Sequence, residues 1–526
     1  MSRIDGAVAA LMDLAGWQRY GLALLLGVSL AGAQAPLSLW PLAFVALTGL
    51  LLLQASAQTL GRGWASFFTG FAFAYGYFVA GLYWIGIAFF VDAEKYALLL
   101  PLPVLGLPLL LALFPAAGLW LAQYAAGRSA SLFLLLAPFG WLLGEYLRGH
   151  VLTGFPWNQV GAIWGEWPAT MQLAAYIGVE GLGLITMLAV SGLALALTLL
   201  SPRLRLVSLG LPLLFALALG AGSLRLPAAH VPSVPDVQLR LVQPSVPQTV
   251  KWRDDLRQQH LQQHVALSLK PAPIPPTHII WPETALPYLL DEEPQLRDGL
   301  ARLLPSKTGA LITGAPRRDP AAQRPVVFNS VFGLDALGSI AGVYDKIHLV
   351  PFGEYLPFRG LLHPLGLDAL AASGVDFSPG HLSAPVIFPG LPPVRVLICY
   401  EAIFADEISD GSTTPRAGLL LNVTNDSWFG RSSGPYQHLV AARFRAVEQG
   451  LPLIRAANNG ISAIVDPYGR ILTSLGIDEI GTVDGALPQA LPHDPPYARI
   501  GDIPLLALSL ILLICCFVAD RRSTKH

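Results

Sequence analysis

Three short segments in the second half of the chain carry residues able to do covalent chemistry. In Val396-Leu397-Ile398-Cys399-Tyr400-Glu401 a β-type apolar run ends in a cysteine, while the other two cysteines, Cys515 and Cys516, lie side by side in an apolar stretch near the C-terminus. In Ile279-Ile280-Trp281-Pro282-Glu283-Thr284-Ala285 a second apolar run delivers a carboxylate. In Tyr344-Asp345-Lys346-Ile347-His348-Leu349-Val350-Pro351-Phe352-Gly353-Glu354-Tyr355 a lysine precedes a Pro- and Gly-shaped loop. Cys399 is the natural nucleophile once its thiolate is stabilised. A helix expected over residues 401–408 would aim N–H dipoles at the sulfur, and a neighbouring lysine would lower its pKa further. Glu283 can take the thiol proton and later activate a second substrate, with burial raising its pKa towards the working range. Lys346 can donate to the oxyanion of a tetrahedral intermediate. Taken singly, each has a plainer reading: a lone cysteine is more often a small buried hydrophobe, and a lone Glu or Lys at a strand end is usually solvated.

The elements that must position these residues are legible as a change of pattern near Val237. Short β-rich runs at 237–246, 278–281, 310–314, 326–334, 394–399, 418–424 and 453–457 alternate with helical stretches at 252–269 and 437–449. Strands alternating with helices, with runs expected to be buried such as Gly418-Leu419-Leu420-Leu421-Asn422-Val423, predict a layered α/β domain. About 275 residues suffice for one core. Each chemical segment falls where a strand hands over to a loop or helix, which is where such domains build active sites.

The first half is of another kind. The chain has 526 residues, 53% hydrophobic and 13% charged, with mean hydropathy +0.54; only 15 of its 67 charged residues fall in residues 1–223. Segments at 20–34, 37–53, 65–90, 97–125, 131–147, 173–200, 207–224 and 503–519 are apolar enough to predict eight spans, seven before the polar region and one after it. The first segment, with Arg3 and Arg19 ahead of it and Ala31-Gly32-Ala33-Gln34-Ala35 behind, reads either as a cleaved signal or as one arm of a retained hairpin. With the N-terminus in the cytoplasm, the cytoplasmic segments hold Arg3, Arg19, Arg62, Arg128, Arg203, Arg205, Arg521, Arg522 and Lys525, against Lys95 and Arg148 in the opposite short loops. The predicted organisation is a seven-span membrane domain at 1–224, a domain outside the cytoplasm at 225–501, and a last span with a cytoplasmic tail at 502–526. Glu145, Arg148, Trp157, Asn158 and Glu180 cluster at the outer ends of the fifth and sixth spans, either as an interfacial aromatic belt with snorkelling charges or as a substrate vestibule. A net charge of −1 argues against a nucleic-acid partner, and three cysteines make no disulfide framework. No metal or cofactor is expected, since His264 and His438 sit in helical stretches without ligand spacing.

The Trp-Pro-Glu, Asp-Lys-Ile-His-Leu-Val-Pro-Phe-Gly-Glu-Tyr and Cys-Tyr-Glu segments, in this order, resemble the Glu-Lys-Cys set of the nitrilase (carbon-nitrogen hydrolase) superfamily over roughly residues 237–488. With the flanking spans, the chain resembles the bacterial apolipoprotein N-acyltransferase family over nearly its whole length. The segment from Leu241 to Gln248 with Lys251-Trp252, the loop Gly154-Phe155-Pro156-Trp157, the segment Asn422-Val423-Thr424-Asn425-Asp426-Ser427-Trp428-Phe429-Gly430 and the segment from Arg455 to Ser462 add to the likeness. The resemblance implies a polytopic helical membrane domain joined to an αββα sandwich, held on the periplasmic side of the inner membrane. It implies Glu283 as general base, Lys346 as oxyanion stabiliser and Cys399 as acyl-carrying nucleophile, with Glu354, Tyr400, Glu401, Trp252 and Asn329 supporting the site. The implied donor is a phospholipid, phosphatidylethanolamine-like; the acceptor is the α-amino group of a diacylglyceryl-modified N-terminal cysteine of an apolipoprotein. Membrane lipid surrounds a protein expected to be monomeric. Leu356, Phe358, Leu361, Leu362, Leu365 and Leu367 are either hydrophobic arms that shield a thioester or ordinary core.

Two other functions compete. A membrane-bound amidase would use the same Glu, Lys and Cys with water as final acceptor. A transporter or receptor would need charge partners inside the membrane, whereas most charges of the first half lie at predicted span ends.

Overall fold

The computed structural model describes residues 3–523 apart from 60–62, 93, 95–96, 230, 305, 320–325, 363–375, 382–383 and 409–414. The chain divides into two compact units: residues 1–86, 98–226 and 495–526 form one, residues 87–97 and 227–494 the other.

The first unit is helical. Its longer helices are α1 (Gly16–Ala31), α2 (Trp40–Thr59), α3 (Gly63–Gly81), α4 (Leu107–Ala125), α5 (Ala130–His150), α6 (Ala174–Thr198) and α7 (Gly210–Gly222), with a C-terminal helix Ile503–Ser523. Among the described residues, five helical stretches are long and apolar enough to cross a membrane: Trp40–Ala57, Ala97–Ala125, Ala130–His150, Ala174–Thr198 and Pro202–Arg225. A sixth forms if α3 and the 3-10 helix Tyr83–Phe90, bent by 44°, count as one broken span. Small residues let these helices touch backbone to backbone, the usual basis of helix association in lipid. A Cβ on Gly27 of α1 would meet the carbonyl oxygen of Phe73 at 1.9 Å, and one on Gly76 of α3 would meet that of Leu24 at 2.2 Å.

The polar cluster of this unit is neither a belt nor a snorkelling rim: Glu145, Arg148, Trp157, Asn158 and Glu180 are all buried. The loop after α5 turns inward, and its backbone groups need partners where water is absent. Arg148 Nη1 donates to the carbonyls of Phe155 and, at 2.7 Å, Trp157. Glu145 accepts from the Val160 amide at 2.9 Å, Tyr77 donates to the Asn158 carbonyl at 2.8 Å, and Gln159 donates to Glu180 at 3.0 Å. The charges satisfy the backbone of a buried loop.

The second unit is built on two sheets. The six-stranded sheet has the order β11-β1-β2-β3-β4-β5 and the five-stranded sheet the order β10-β9-β8-β7-β6. The strands are β1 (Ser233–Gln243), β2 (His278–Ile280), β3 (Leu311–Arg318), β4 (Val327–Leu334), β5 (Ile340–Asp345), β6 (Val394–Ile398), β7 (Leu419–Thr424), β8 (Leu453–Ala457), β9 (Ser462–Val465), β10 (Ile471–Leu475) and β11 (Gly481–Pro488). In each sheet three strands run parallel, β1-β2-β3 and β6-β7-β8, and the outer pairings are antiparallel.

The period-2 alternation of a strand assigns side chains to layers. On β7, Leu419, Leu421 and Val423 join Leu241, Ile280, Ile312, Ile398 and Ile454 in one core, so the two sheets pack face to face. Leu420, on the opposite face of β7, packs instead with Leu439, Ala442 and Ala446 of helix α10 (Gly434–Gln449). On the other sheet Ile279, Leu311 and Phe332 pack with Leu267 of α8 (Arg257–Ser268) and Leu300 of α9 (Pro294–Ala301). Helix, sheet, sheet and helix follow in layers, the αββα sandwich that the resemblance implied. Strands β2, β6 and β7 are buried along their whole length, and their C-terminal ends carry Glu283, Cys399 and Asp426.

Candidate active site

Cys399 follows β6 directly and opens a 3-10 turn, Cys399–Ile403, with φ +50°. A non-glycine residue in the left-handed region costs on the order of 1–3 kcal/mol and persists only where its surroundings impose it. Here they do. The Glu401 carboxylate folds back to accept from the Ile398 amide at 2.6 Å and reaches across to the Ile347 amide at 2.7 Å, the His348 amide at 3.2 Å and the Tyr344 hydroxyl at 2.9 Å. That folded-back side chain also overturns the helix expected over 401–408: the helical turn ends at Ile403, and the carboxylate that a helix would have shown to solvent is buried as a clamp.

Glu283 leaves β2 after Trp281 and Pro282, next to Thr284, another residue at positive φ (+43°). Its Oε1 accepts from Asn329 Nδ2 at 2.8 Å and faces Lys346 Nζ at 3.6 Å. Lys346 stands one residue past β5, its amide bonded to the Asn329 carbonyl at 2.8 Å, and its Nζ is 2.9 Å from Glu354 Oε2. Asn329 Nδ2 also donates to Glu354 Oε1 at 2.8 Å, and the Val350 amide donates to Glu354 Oε2 at 2.8 Å. One amide and one ammonium therefore tie two carboxylates together, and all four side chains are largely withdrawn from water.

Burial and charge set the protonation states. Burial opposes the Lys346 charge, but Glu354 and then Glu283 outweigh it and hold this lysine above its ordinary range, a permanent cation. Burial, then the Glu283 carboxylate, push the Cys399 thiol well up, against the pull of Lys346. Cys399 is thus held towards the neutral thiol, not the stabilised thiolate expected from a helix dipole. Burial raises Glu401 to about 7 against its backbone donors and Lys346.

Of the supporting residues, Asn329 and Glu354 meet Glu283 and Lys346 directly, and Glu401 acts through backbone. Tyr400 is buried against Phe404 and His348, ring centroids 5.0 and 5.5 Å away. Trp252 is half exposed and is not brought into this cluster by any contact among the described residues. Its neighbour Lys251 is: buried, it donates from Nζ to the Glu283 carbonyl at 3.0 Å. Burial lowers its pKa to about 8, with Glu283 and Cys399 resisting. Of the hydrophobic arms, Leu356 is buried and Phe358 exposed; Leu365 and Leu367 lie outside the described residues, as do the side chains of Leu361 and Leu362.

A second cluster, from the other sheet, went unnoticed in the sequence. Asp426 accepts from Thr424 Oγ1 at 2.9 Å and Arg455 Nη2 at 2.6 Å, and lies 2.9 Å from His438 Nδ1. Burial opposes its ionisation, but Arg455 and His438 hold it down at about 2. Potential ligand atoms of Cys399, Asp426 and His438 lie within 4.8 Å of one another. They do not make a metal cradle, because both His438 ring nitrogens already face protein acceptors and the Arg455 guanidinium occupies the carboxylate.

An αββα sandwich with a buried cysteine at the C-terminal end of a buried parallel strand is the architecture of a carbon-nitrogen hydrolase, and that family matches residues 238–491. The apolipoprotein N-acyltransferase N-terminal domain matches residues 26–194. The chain belongs to the apolipoprotein N-acyltransferase family: it is 41% identical over 521 residues to the member from Rhodopseudomonas palustris, covering 96% of each chain. It is 40% identical over 526 residues to that of Bradyrhizobium diazoefficiens, again 96% of each, and 40% identical over 501 residues to that of Brucella suis biovar 1, 92% of each. Among solved structures, an amidase from Nesterenkonia sp. AN1 is similar at 20% identity with a TM-score of 0.37, covering 53% of this chain and 99% of the amidase. The protein is accordingly a bacterial membrane enzyme with several apolar spans and a nitrilase-like domain.

Proposed function

We propose that the protein moves a fatty acyl chain from a phospholipid, phosphatidylethanolamine-like, to the α-amino group of the S-diacylglyceryl cysteine that begins an apolipoprotein, in two steps through Cys399. The observation that carries this reading is the convergence of a buried thiol, a carboxylate and a permanent lysine cation from three strand ends of one sandwich. In the first step the Cys399 sulfur attacks the ester carbonyl as Glu283 takes the thiol proton, and Lys346 donates to the oxyanion. The carbon-oxygen bond to glycerol breaks, the leaving oxygen recovers the proton, and a lysophospholipid departs. In the second step the acceptor amine attacks the thioester, Glu283 takes an amine proton and passes it to the departing sulfur, and an amide remains. Asn329 and Glu354 hold Glu283 and Lys346 in register. Tyr400, next to Cys399, serves the same site, and the protein acts as a monomer in lipid.

Both substrates are anchored in the bilayer, so a catalytic unit tethered by apolar helices gains proximity that a free enzyme lacks. With eight spans, the lysine and arginine distribution supports a catalytic domain over 225–501 on the periplasmic side of the inner membrane. Relatives named as N-acyltransferases over nearly the whole chain favour acyl transfer over amide hydrolysis.

The test is the mass of the adduct. Purified protein incubated with phospholipid is expected to carry one acyl group on Cys399, released by hydroxylamine and discharged to amide by a diacylated lipopeptide. Cys399→Ser and Lys346→Ala should abolish turnover in folded protein, and Glu283→Gln should lower it by orders of magnitude. Hydrolysis of small amides with no acyl adduct would reverse the reading.

A further inference from the structure

The geometry points to His438 as a positioning residue for the nucleophile: we propose that its ring, donating from Nε2 to the Cys399 carbonyl and from Nδ1 to Asp426, locks Cys399 in its left-handed conformation and sets a fixed positive charge beside the sulfur. The inference rests on Cys399 being the acyl carrier.

Four observations carry it. His438 and Asp426 are fully buried. His438 Nε2 lies 3.0 Å from the Cys399 carbonyl oxygen, which can only accept. His438 Nδ1 lies 2.9 Å from Asp426 Oδ1, a carboxylate that Arg455 and Thr424 already hold as an anion. A ring with an acceptor on each side satisfies both only when both nitrogens carry protons, and Arg455 Nη2, 3.2 Å from Nδ1, is then directed to the carboxylate it shares. Finally, Cys399 Sγ sits within 4.8 Å of ligand atoms of both His438 and Asp426, at φ +50°.

Beside Glu401 of its own turn, whose carboxylate is held by four donors and titrates alike in wild type and variants, the charged groups around Cys399 divide by sheet. Glu283, Lys346 and Lys251 come from the six-stranded sheet and its loops, a carboxylate against two ammoniums, with Glu354 paired to Lys346. Asp426, Arg455 and His438 come from β7, β8 and α10 of the other, a carboxylate against two cations. Without His438 the Asp426 carboxylate faces the sulfur with one cation fewer, and the carbonyl of a strained residue loses its donor. Both changes oppose thiolate formation, and neither alters Glu283 or Lys346.

The experiment uses the full chain in detergent micelles free of phospholipid, with phospholipid added only where acylation is measured. The rate of Cys399 alkylation by iodoacetamide is followed against pH for wild type, His438→Gln and His438→Leu, with hydroxylamine-sensitive acyl-enzyme formation measured alongside. Expected is a profile displaced upward by about one pH unit in both variants, equivalent to about tenfold less thiolate at a given pH. Acylation should be partly restored in the Gln variant, whose amide can still donate to the Cys399 carbonyl, but not in the Leu variant. Folded variants with the wild-type profile and wild-type acylation would overturn the proposal. If neither variant folds, histidine-labelled native protein decides by its ring 15N resonances: the proposal requires one buried histidine with two protonated nitrogens at neutral pH, and a neutral ring at His438 overturns it.

Discussion

At the scale of single residues, the site is a contest between burial and paired charge, and Lys251 shows it most simply. Its ammonium is buried with the Glu283 carbonyl as an acceptor, and burial brings it to about 8 from an ordinary 10.5. Between those values the unfolded chain holds a proton that the folded protein has released, so stability rises with pH across that window. Lys251→Met should abolish that rise, read as the denaturation midpoint from pH 7.5 to 10.5. The same variant leaves the Glu283 carbonyl without its donor beside the strained Thr284, and acyl-enzyme formation should slow by about tenfold, the equivalent of ~1.4 kcal/mol within the 1–3 kcal/mol range for an unmet buried partner. A wild-type pH dependence in the variant would show that Lys251 is not the group responsible. The residues legible in the sequence were those that end a local run: Glu283 after Ile279-Ile280, Cys399 after Val396-Leu397-Ile398, Lys346 before its Pro-Gly loop. Asp426, His438 and Arg455 were not, because a loop, a helix and a strand bring them together and no local pattern marks a buried ion cluster.

At the scale of elements, the strands read in the sequence were runs of five or more largely apolar residues or ended in a chemical segment, whereas the four-residue β9 and the more exposed or mixed strands went unread. β2, β6, β7 and β8 are mostly apolar runs buried at every position, His278, Arg395, Asn422 and Arg455 included, because both faces are covered. β5 holds a glycine and exposed positions, β10 is mostly exposed, and β11 mixes Asp484 with apolar residues, so neither pattern nor composition declares them. The failed helix at 401–408 has a comparable cause: helix propensity cannot anticipate that Glu401 will be drawn inward by four donors from two segments. That clamp joins the residues after β5, which carry Lys346, to the turn after β6, which carries Cys399. Glu401→Gln keeps the shape but turns an NH2 towards amides that need an acceptor. It should destabilise the protein by about 1–3 kcal/mol and lower the rate of Cys399 acylation by at least about tenfold, measured as denaturation midpoint and single-turnover adduct formation. Unchanged acylation in a destabilised variant would confine the clamp to a structural role.

At the scale of the whole molecule, the division of charge that separates residues 1–223 from the rest now has two physical sources. Helices that cross close enough for Gly27 and Gly76 to touch opposing backbones leave little room for ionised side chains, and the charges they do carry, Arg148 and Glu145 among them, are consumed in holding the buried loop after α5. The remaining charge bias, arginines concentrated in one set of short segments, is free to fix orientation. The proposed topology places the N-terminus and the tail after residue 523 in the cytoplasm and the catalytic domain across the membrane. Leu337, 82% exposed in the turn between β4 and β5, offers a reporter remote from Glu283, Lys346 and Cys399 in the chain. In intact spheroplasts, a membrane-impermeant maleimide should label Leu337→Cys, while a protease-sensitive tag appended after His526 stays protected until the cells are lysed. Adding one short helix before the α/β domain would reverse every loop after it, so cleavage of the tag in intact spheroplasts, with Leu337→Cys unlabelled, would require the opposite orientation and deny the proposed nucleophile access to periplasmic lipoproteins.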